Sequence, residues 1–366
     1  MTNVDRSLPL DVLRGMTVAL MIVVNTPGNG QTTFAPLNHA AWHGFTPTDW
    51  VFPTFMFVVG AAMSLSLAKY QTEAAFLGKV IRRTALIFLL GYLMYWFPFV
   101  HQEAGQLVPS PMAETRIFGV LQRIALGYGA AALIIRYGGR RGAIGFSAVA
   151  LLGYWAMLSI WGDYSMTGNA VLRLDRFLMG DAHLYHGEGL AFDPEGLLST
   201  LPAIVNTVAG YFAGQFLLDN GSGYEAVAKL MIAGAAAIAL ALCWHPLFPI
   251  NKKLWTSSFV ALTVGLDLVV LGILVYFLDI RRWRGWTRFF QVFGRNTLFC
   301  YLLSELGVTL LLLIQVGGQS LYQAVFQAAY RPLGGYLGSL LFAGSWMLVC
   351  WLAGLALDRR GIHLTV

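Results

Sequence analysis

Charge is scarce in this 366-residue chain: Lys, Arg, Asp and Glu make up 11% of it, against 57% hydrophobic residues and a mean hydropathy of +0.64. That composition excludes an ordinary soluble domain and describes a polytopic membrane protein. Cysteine is nearly missing too. Cys243, Cys300 and Cys350 all fall in apolar runs, without CxxC spacing or a nearby histidine pair, so buried free thiols are expected and no metal site. No internal repeat and no low-complexity linker is visible. The net charge of +6 is not a nucleic-acid footprint, because the basic residues come in short clusters between apolar runs, as topology signals do.

What is abundant is long apolar sequence. Ten runs have the length of spanning helices, roughly 8–26, 50–69, 84–100, 117–136, 142–161, 196–218, 228–245, 256–278, 289–315 and 335–357. The expected fold is therefore all-α, a helical membrane protein with about ten spans forming one unit over 1–366, with no soluble domain before or after it. The first run contains Asp11 and Arg14 and lacks a small-residue cleavage pattern, so it reads as a retained span. One set of loops and termini carries 15 of the 24 Lys and Arg residues, among them Arg6, Lys69, Arg82, Arg83, Arg140 and Arg141, and the opposite set carries 6. The positive-inside rule then places both termini in the cytoplasm and the 25–49 segment outside, which for a bacterial inner membrane means the periplasm.

That segment has no Lys or Arg and is broken by Gly and Pro, yet it holds His39, His43, Asn25, Asn29, Asn38 and Asp49. His39 and His43 are four apart and could make a zinc half-site, but Pro36, Gly44 and Pro47 break the stretch and no third ligand is evident. Asp49 precedes the second span and could be a helix cap alone. Histidine beside asparagine and aspartate also has a chemical use, since imidazole takes a proton from an amine or accepts an acyl group. Spacing does not choose among these readings.

Ionisable groups at bilayer depth cost about 2.5 to 3.5 kcal/mol on insertion scales and call for a partner or a task. Asp11 and Arg14 share a helix face and could neutralise each other. Arg14 and Arg295, with Asn296 beside the latter and Arg82 and Arg83 at the mouth of the third span, could instead form a cytoplasmic phosphate site, although Arg82 and Arg83 could also do no more than orient their helix. On the outer side the 162–195 connection mixes carboxylates with aromatic rings and His183, a surface that suits a sugar or is a solvated loop with an interfacial helix near 169–179. Lys252 and Lys253 stand in an outer loop against the positive-inside trend, which hints at a role.

Seven stretches in order resemble the transmembrane N-acetyltransferases typified by lysosomal heparan-alpha-glucosaminide N-acetyltransferase, whose bacterial relatives are associated with N-acetylglucosamine use. They are SLPLDVLRGMTVALMIVVN, NHAAWHGFTPTDWVFPTFMFVVG, TRIFGVLQRIALGYG, LDRFLMGDAHLY, AFDPEGLLSTLPAIVNTVAGYFAGQ, FPINKKLWTSSFV and GRNTLFCYLLSE. The resemblance implies transfer of an acetyl group from cytoplasmic acetyl-CoA to the amine of a glucosamine-type sugar on the far side of the membrane, without a metal. It puts the active histidine on His39, with Asn25 and Asp49 beside it. It also places Asp193 and Glu195 in the outer loop and Asn296 and Glu305 in the ninth span, while Arg295 stands where the lysosomal enzyme has no basic residue. On the residues' own chemistry the phosphates are expected at Arg14, Arg82, Arg83, Arg295 and Asn296, and the sugar at Asp181, His183, Asp193, Glu195 and Lys252. A homodimer is plausible on the ground of the resemblance. The chain departs from the lysosomal enzyme in a longer 25–39 loop and a shorter outer loop before the sixth span, the parts that would touch the acceptor. Composition alone favours an amino-sugar transporter, though no matching broken helices in paired halves are visible, and an O-acetyltransferase acting on a cell-envelope sugar is the third reading.

Overall fold

In hydrocarbon each backbone N–H and C=O must find its partner within its own segment, so apolar runs of this length fold as helices. The computed structural model describes residues 7–67, 70, 72–103 and 106–364. Arg6 and Lys69 of the topology argument lie outside them. The described residues form α1 (Leu8–Asn25), α2 (Pro47–Ser66), α3 (Glu73–Trp96), α4 (Val120–Ile160), α5 (Ala170–Met179), α6 (Leu197–Asn220), α7 (Tyr224–Trp244), α8 (Ser257–Val275), α9 (Thr287–Arg295), α10 (Thr297–Leu313), α11 (Leu321–Val325) and α12 (Gly335–Arg359). Only two short hairpins interrupt this, Val100–Glu103 with Gln106–Pro109 and Gln315–Val316 with Gln319–Ser320. The chain is thus an all-α polytopic membrane protein.

Length and apolarity single out seven crossing helices, or eight with the bent pair α9 and α10, against the ten expected. The difference lies in two places. Helix α3 carries Lys79, Arg82 and Arg83 in its first half, and α4 runs for 41 residues through Gly139, whose φ of 58° and ψ of −164° break the helix between Arg136 and Arg140. A straight helix of that length would be about 60 Å long, twice the hydrocarbon thickness, so the glycine turn folds it into two arms. The expected single run over 289–315 is also broken, by an 81° bend at Asn296, with Gly294 just before it packed on Asp11 and Arg14 of α1. Cys243 is exposed on α7, while Cys300 and Cys350 are buried.

In the most apolar 18-residue stretch of each helix, 72% of residues are buried on α2 and only 22% on α7, so α2 runs through the middle of the bundle and α7 lies at its edge. Water-driven burial does not operate between helices in lipid, and close backbone approach takes its place. A Cβ on Gly60 of α2 would stand 1.8 Å from Thr207 O of α6, and one on Gly210 of α6 would stand 1.8 Å from Phe57 O of α2. A similar reciprocal pair, Gly15 and Gly294, seats α9 on α1. Polar staples complete the packing. Asp267 of α8, fully buried, accepts from Trp50 Nε1 at 2.8 Å and Thr54 Oγ1 at 2.7 Å, both on α2.

Candidate active site

Residues 38–46 form no helix, so His39 and His43 do not share a helix face. Thr46 is the N-cap of α2 and Pro47 its first residue, with fixed φ suited to that position. Asp49 is the third helical residue and reaches back: its Oδ2 accepts from the Thr46 N–H at 3.0 Å, the Thr46 hydroxyl at 3.1 Å and the Ala40 N–H at 3.1 Å. Its Oδ1 lies 2.7 Å from His39 Nδ1. An ionised carboxylate only accepts hydrogen bonds, so Nδ1 carries the proton and the Nε2 lone pair is left for chemistry. Asp49 is therefore both a cap and an orienter of His39, the two readings the sequence held apart. His43 turns away, with Nδ1 3.3 Å from Asn251 Nδ2, and burial, aided by His245, lowers its pKa. Among the described residues no group of three His, Cys, Asp or Glu could hold a metal.

A cavity of about 70 Å³ opens beside His39, lined also by Asn25, Thr48, Glu195, Lys252 and Tyr301 over a floor of Val51, Phe52, Phe55, Leu121 and Ile124. Asn25 ends α1 and donates from Nδ2 to Glu305 Oε1 of α10 at 3.2 Å. Lys252 Nζ is 3.3 Å from both ring nitrogens of His39. An in-plane nitrogen equidistant at that length would collide with Cε1, so the ammonium sits over the imidazole face and leaves the Nε2 lone pair free. Burial draws the Lys252 pKa below its ordinary value, against the pull of Glu195 and Asp49. Lys253 ties the His39 loop to the 162–195 connection, donating to Ala41 O at 2.9 Å and pairing with Glu188.

Glu195 reaches the cavity wall because Arg116 holds it. The Arg116 guanidinium forks onto Asp193, Nε to Oδ2 at 2.8 Å and Nη2 to Oδ1 at 2.6 Å, while Nη2 also reaches Glu195 Oε2 at 2.6 Å. It lies between the rings of Tyr95 and Tyr185, 4.8 and 4.7 Å from their centroids. Burial alone would raise the Glu195 pKa, but Arg116, Arg123 and Lys252 outweigh it and keep the carboxyl ionised. Sequence reasoning missed Arg116. Its signal was available: an outer arginine against the positive-inside trend, opening the TRIFG stretch.

A second cavity of about 230 Å³ is rimmed by Arg14, Arg83 and Arg295, with Tyr128, Thr297 and Leu364 on its wall. Arg14 Nη1 contacts Asp11 Oδ1 at 3.2 Å and Gly294 O at 3.3 Å, and Arg295 Nη1 contacts Asp358 Oδ1 at 3.1 Å. The Nε atoms of Arg83 and Arg295 are buried without a hydrogen bond among the described residues, donors an anion could use. The two cavities share Phe55, Leu121, Ile124 and Tyr301.

Several expected residues are not brought to these walls. Arg82 is exposed, because consecutive helical residues point about 100° apart and Arg83 takes the inward position. Asn296 is buried behind Arg295, its Oδ1 accepting from the Leu364 N–H at 3.3 Å. Asp181 pairs with Arg176, His183 Nδ1 contacts Thr115 O at 2.8 Å, and Asp193 lies behind Glu195, spent on Arg116. His39, Asn25, Glu195 and Lys252 meet in one cavity; Arg14, Arg83 and Arg295 meet in the other.

Fold and site together define a membrane protein with an oriented histidine in one cavity, backed by a second, arginine-rimmed one. The chain belongs to the family described as heparan-alpha-glucosaminide N-acetyltransferase, catalytic, whose model matches residues 6–246. It is 28% identical to human heparan-alpha-glucosaminide N-acetyltransferase over 353 residues, 80% of this chain and 51% of the human protein. With the mouse protein of the same name it is 28% identical over 361 residues, 82% of this chain and 53% of the relative. The chain spans about half the length of these curated relatives.

Proposed function

We propose that this protein is a transmembrane acetyltransferase of the cytoplasmic membrane, its termini inside, that moves the acetyl group of cytoplasmic acetyl-CoA to the amine of a glucosamine-type sugar on the periplasmic side. The observation that carries the reading is the pair of cavities meeting at Tyr301: phosphate-binding chemistry at Arg14, Arg83 and Arg295, and a base with a fixed tautomer at His39. The names of the human and mouse relatives support the same reaction class.

Donor phosphates rest against the three guanidiniums and the narrow pantetheine arm runs between α1, α2, α4 and α10 toward His39. An ammonium must lose a proton before its nitrogen can attack, and His39 Nε2 takes it, the positive charge that forms being met by Asp49. Alternatively Nε2 accepts the acetyl group first and passes it on. Lys252 and the Asn25 amide stand where they can meet the negative charge that develops on the carbonyl oxygen. Glu195, held by Arg116 and ionised, offers the acceptor a hydrogen-bonding carboxylate. The chain acts as a single unit, with a homodimer as its assembly.

The test is acetyl transfer by purified protein in liposomes, with labelled acetyl-CoA outside an oriented vesicle and glucosamine within. His39→Ala that inserts and melts like the parent but still makes N-acetylglucosamine would sink the assignment. Acid-stable amide product separates N-acetylation from an envelope O-acetyltransferase, and glucosamine counterflow without acetyl-CoA would mark a transporter.

A further inference from the structure

Resting on that reading, we infer that Tyr301 is a catalytic residue that donates a hydrogen bond to the sulfur leaving the acetyl group. Four side chains belong to both cavities, and three of them, Phe55, Leu121 and Ile124, have no polar atom. Among the described residues lining both cavities, the Tyr301 hydroxyl is the only side-chain group that can hydrogen bond. Its ring is almost fully buried, at 4% exposure, in the second turn of α10. The hydroxyl makes no hydrogen bond with any described residue. Buried side-chain atoms lacking a partner include Ser304 Oγ and both amide atoms of Gln122, but not the Tyr301 oxygen, which therefore faces open space. A buried tyrosine ordinarily finds a partner for its hydroxyl, and this one is directed at the passage between the two cavities.

The chemistry of the passage explains the need. A donor entering from the arginine rim has its carbonyl carbon beside His39 and its sulfur on the cytoplasmic side of that carbon, at the shared wall. When the amine nitrogen bonds to the carbonyl carbon, the carbon–sulfur bond breaks and its electron pair stays on sulfur. His39 Nε2, having passed the ammonium's first proton to water, takes the second proton that the nitrogen sheds as the amide forms. The new thiolate would otherwise form among apolar side chains, where an unsolvated charge is costly. The Tyr301 O–H meets it with a hydrogen bond and keeps its own proton; the thiolate is protonated by water once CoA has left toward the cytoplasm. If the acetyl group passes first to His39, the same bond breaks and the same hydrogen bond serves.

The experiment compares two donors in Tyr301→Phe, which keeps the ring and removes only the hydroxyl: acetyl-CoA, and 4-nitrothiophenyl acetate, whose thiolate is stabilised by its own ring. With acetyl-CoA, kcat is expected to fall by about 100-fold, as for loss of one donor aimed at developing charge. CoA affinity by calorimetry should stay within twofold. With the activated donor, Tyr301→Phe should lie within about threefold of the parent, and His39→Ala should abolish both reactions, establishing that each uses the site. Equal losses on both donors would mean a structural or gating role and overturn the assignment. So would an unchanged rate with acetyl-CoA. A parent protein that acetylates glucosamine with neither donor would overturn the acetyltransferase reading itself, and this assignment with it.

Discussion

One carboxylate, Asp49, holds His39 at 2.7 Å through Oδ1 and closes the first turn of α2 on Thr46 at 3.0 Å through Oδ2. The residue that starts the helix therefore also fixes which imidazole nitrogen is free.

Asp49→Asn separates the two duties. An amide at this position can still accept from the backbone, so the helix start should lose only about 1 kcal/mol. The proton pattern at Nδ1 is no longer dictated, and kcat should drop by about 1,000-fold or more. Thermal melting in detergent alongside acetyl transfer measures both; a large stability loss with little loss of rate would show that Asp49 only caps.

Arg83 and Arg295 should act on the donor's phosphates and on nothing later. Each charge-assisted contact is worth about 1.5–3 kcal/mol, so alanine at either position should raise KM for acetyl-CoA by about tenfold or more and leave kcat nearly unchanged. Acetyl-pantetheine, which lacks the nucleotide and its phosphates, should be used equally well by parent and variants. Equal impairment with both donors would place the arginines in the scaffold.

Glycine positions give a stability test independent of function. Gly60→Ala would put a Cβ 1.8 Å from the Thr207 carbonyl oxygen, a backbone atom that moves only if α6 moves. Gly78→Ala, inside α3, meets nothing within 4 Å. Alanine is worth about 0.5–1 kcal/mol over glycine in a helix, so Gly78→Ala should raise the detergent melting temperature slightly and Gly60→Ala should lower it sharply. Similar melting of the two variants would contradict the close approach of α2 and α6.

How far the sequence reveals this site depends on what kind of relationship each residue is in. The apolar runs mark nearly every helix, because hydrocarbon permits little else. His39 and Asp49 stand ten residues apart across one turn, and their pairing is within reach of local chemistry. Glu305 on Asn25, 280 residues distant, and Lys252 on His39, 213 distant, are products of packing that no spacing encodes. The choice of Arg83 over Arg82 depends on the rotation of α3, which neighbours set. The bend at Asn296 is hidden because composition on both sides of it is equally helical. Arg116 shows the opposite error: its charge read as a topology signal, whereas two carboxylates and two tyrosine rings enclose it.

The last prediction concerns pH. Asp175 of α5 is buried at 1% exposure; its Oδ1 accepts from the Leu197 N–H that begins α6 at 3.1 Å, and its Oδ2 has no partner among the described residues. Burial, added to by Asp193, pushes its pKa up to about 7 from the model-compound value of 3.8, with the backbone N–H groups and Arg123 pulling the other way. The folded chain thus keeps a proton that the unfolded chain releases between those two values. Stability should fall as pH rises from about 4 to about 7, then level off, by a few kcal/mol in all. Asp175→Asn removes this titration while keeping an oxygen for Leu197. Its melting temperature should therefore be close to the parent's near pH 4 and exceed it by a margin that widens up to about pH 7. A constant gap between the two proteins from pH 4 to pH 8 would show that Asp175 ionises freely in the fold, and that the Asp193–Glu195 loop is not anchored through a protonated carboxyl at the start of α6.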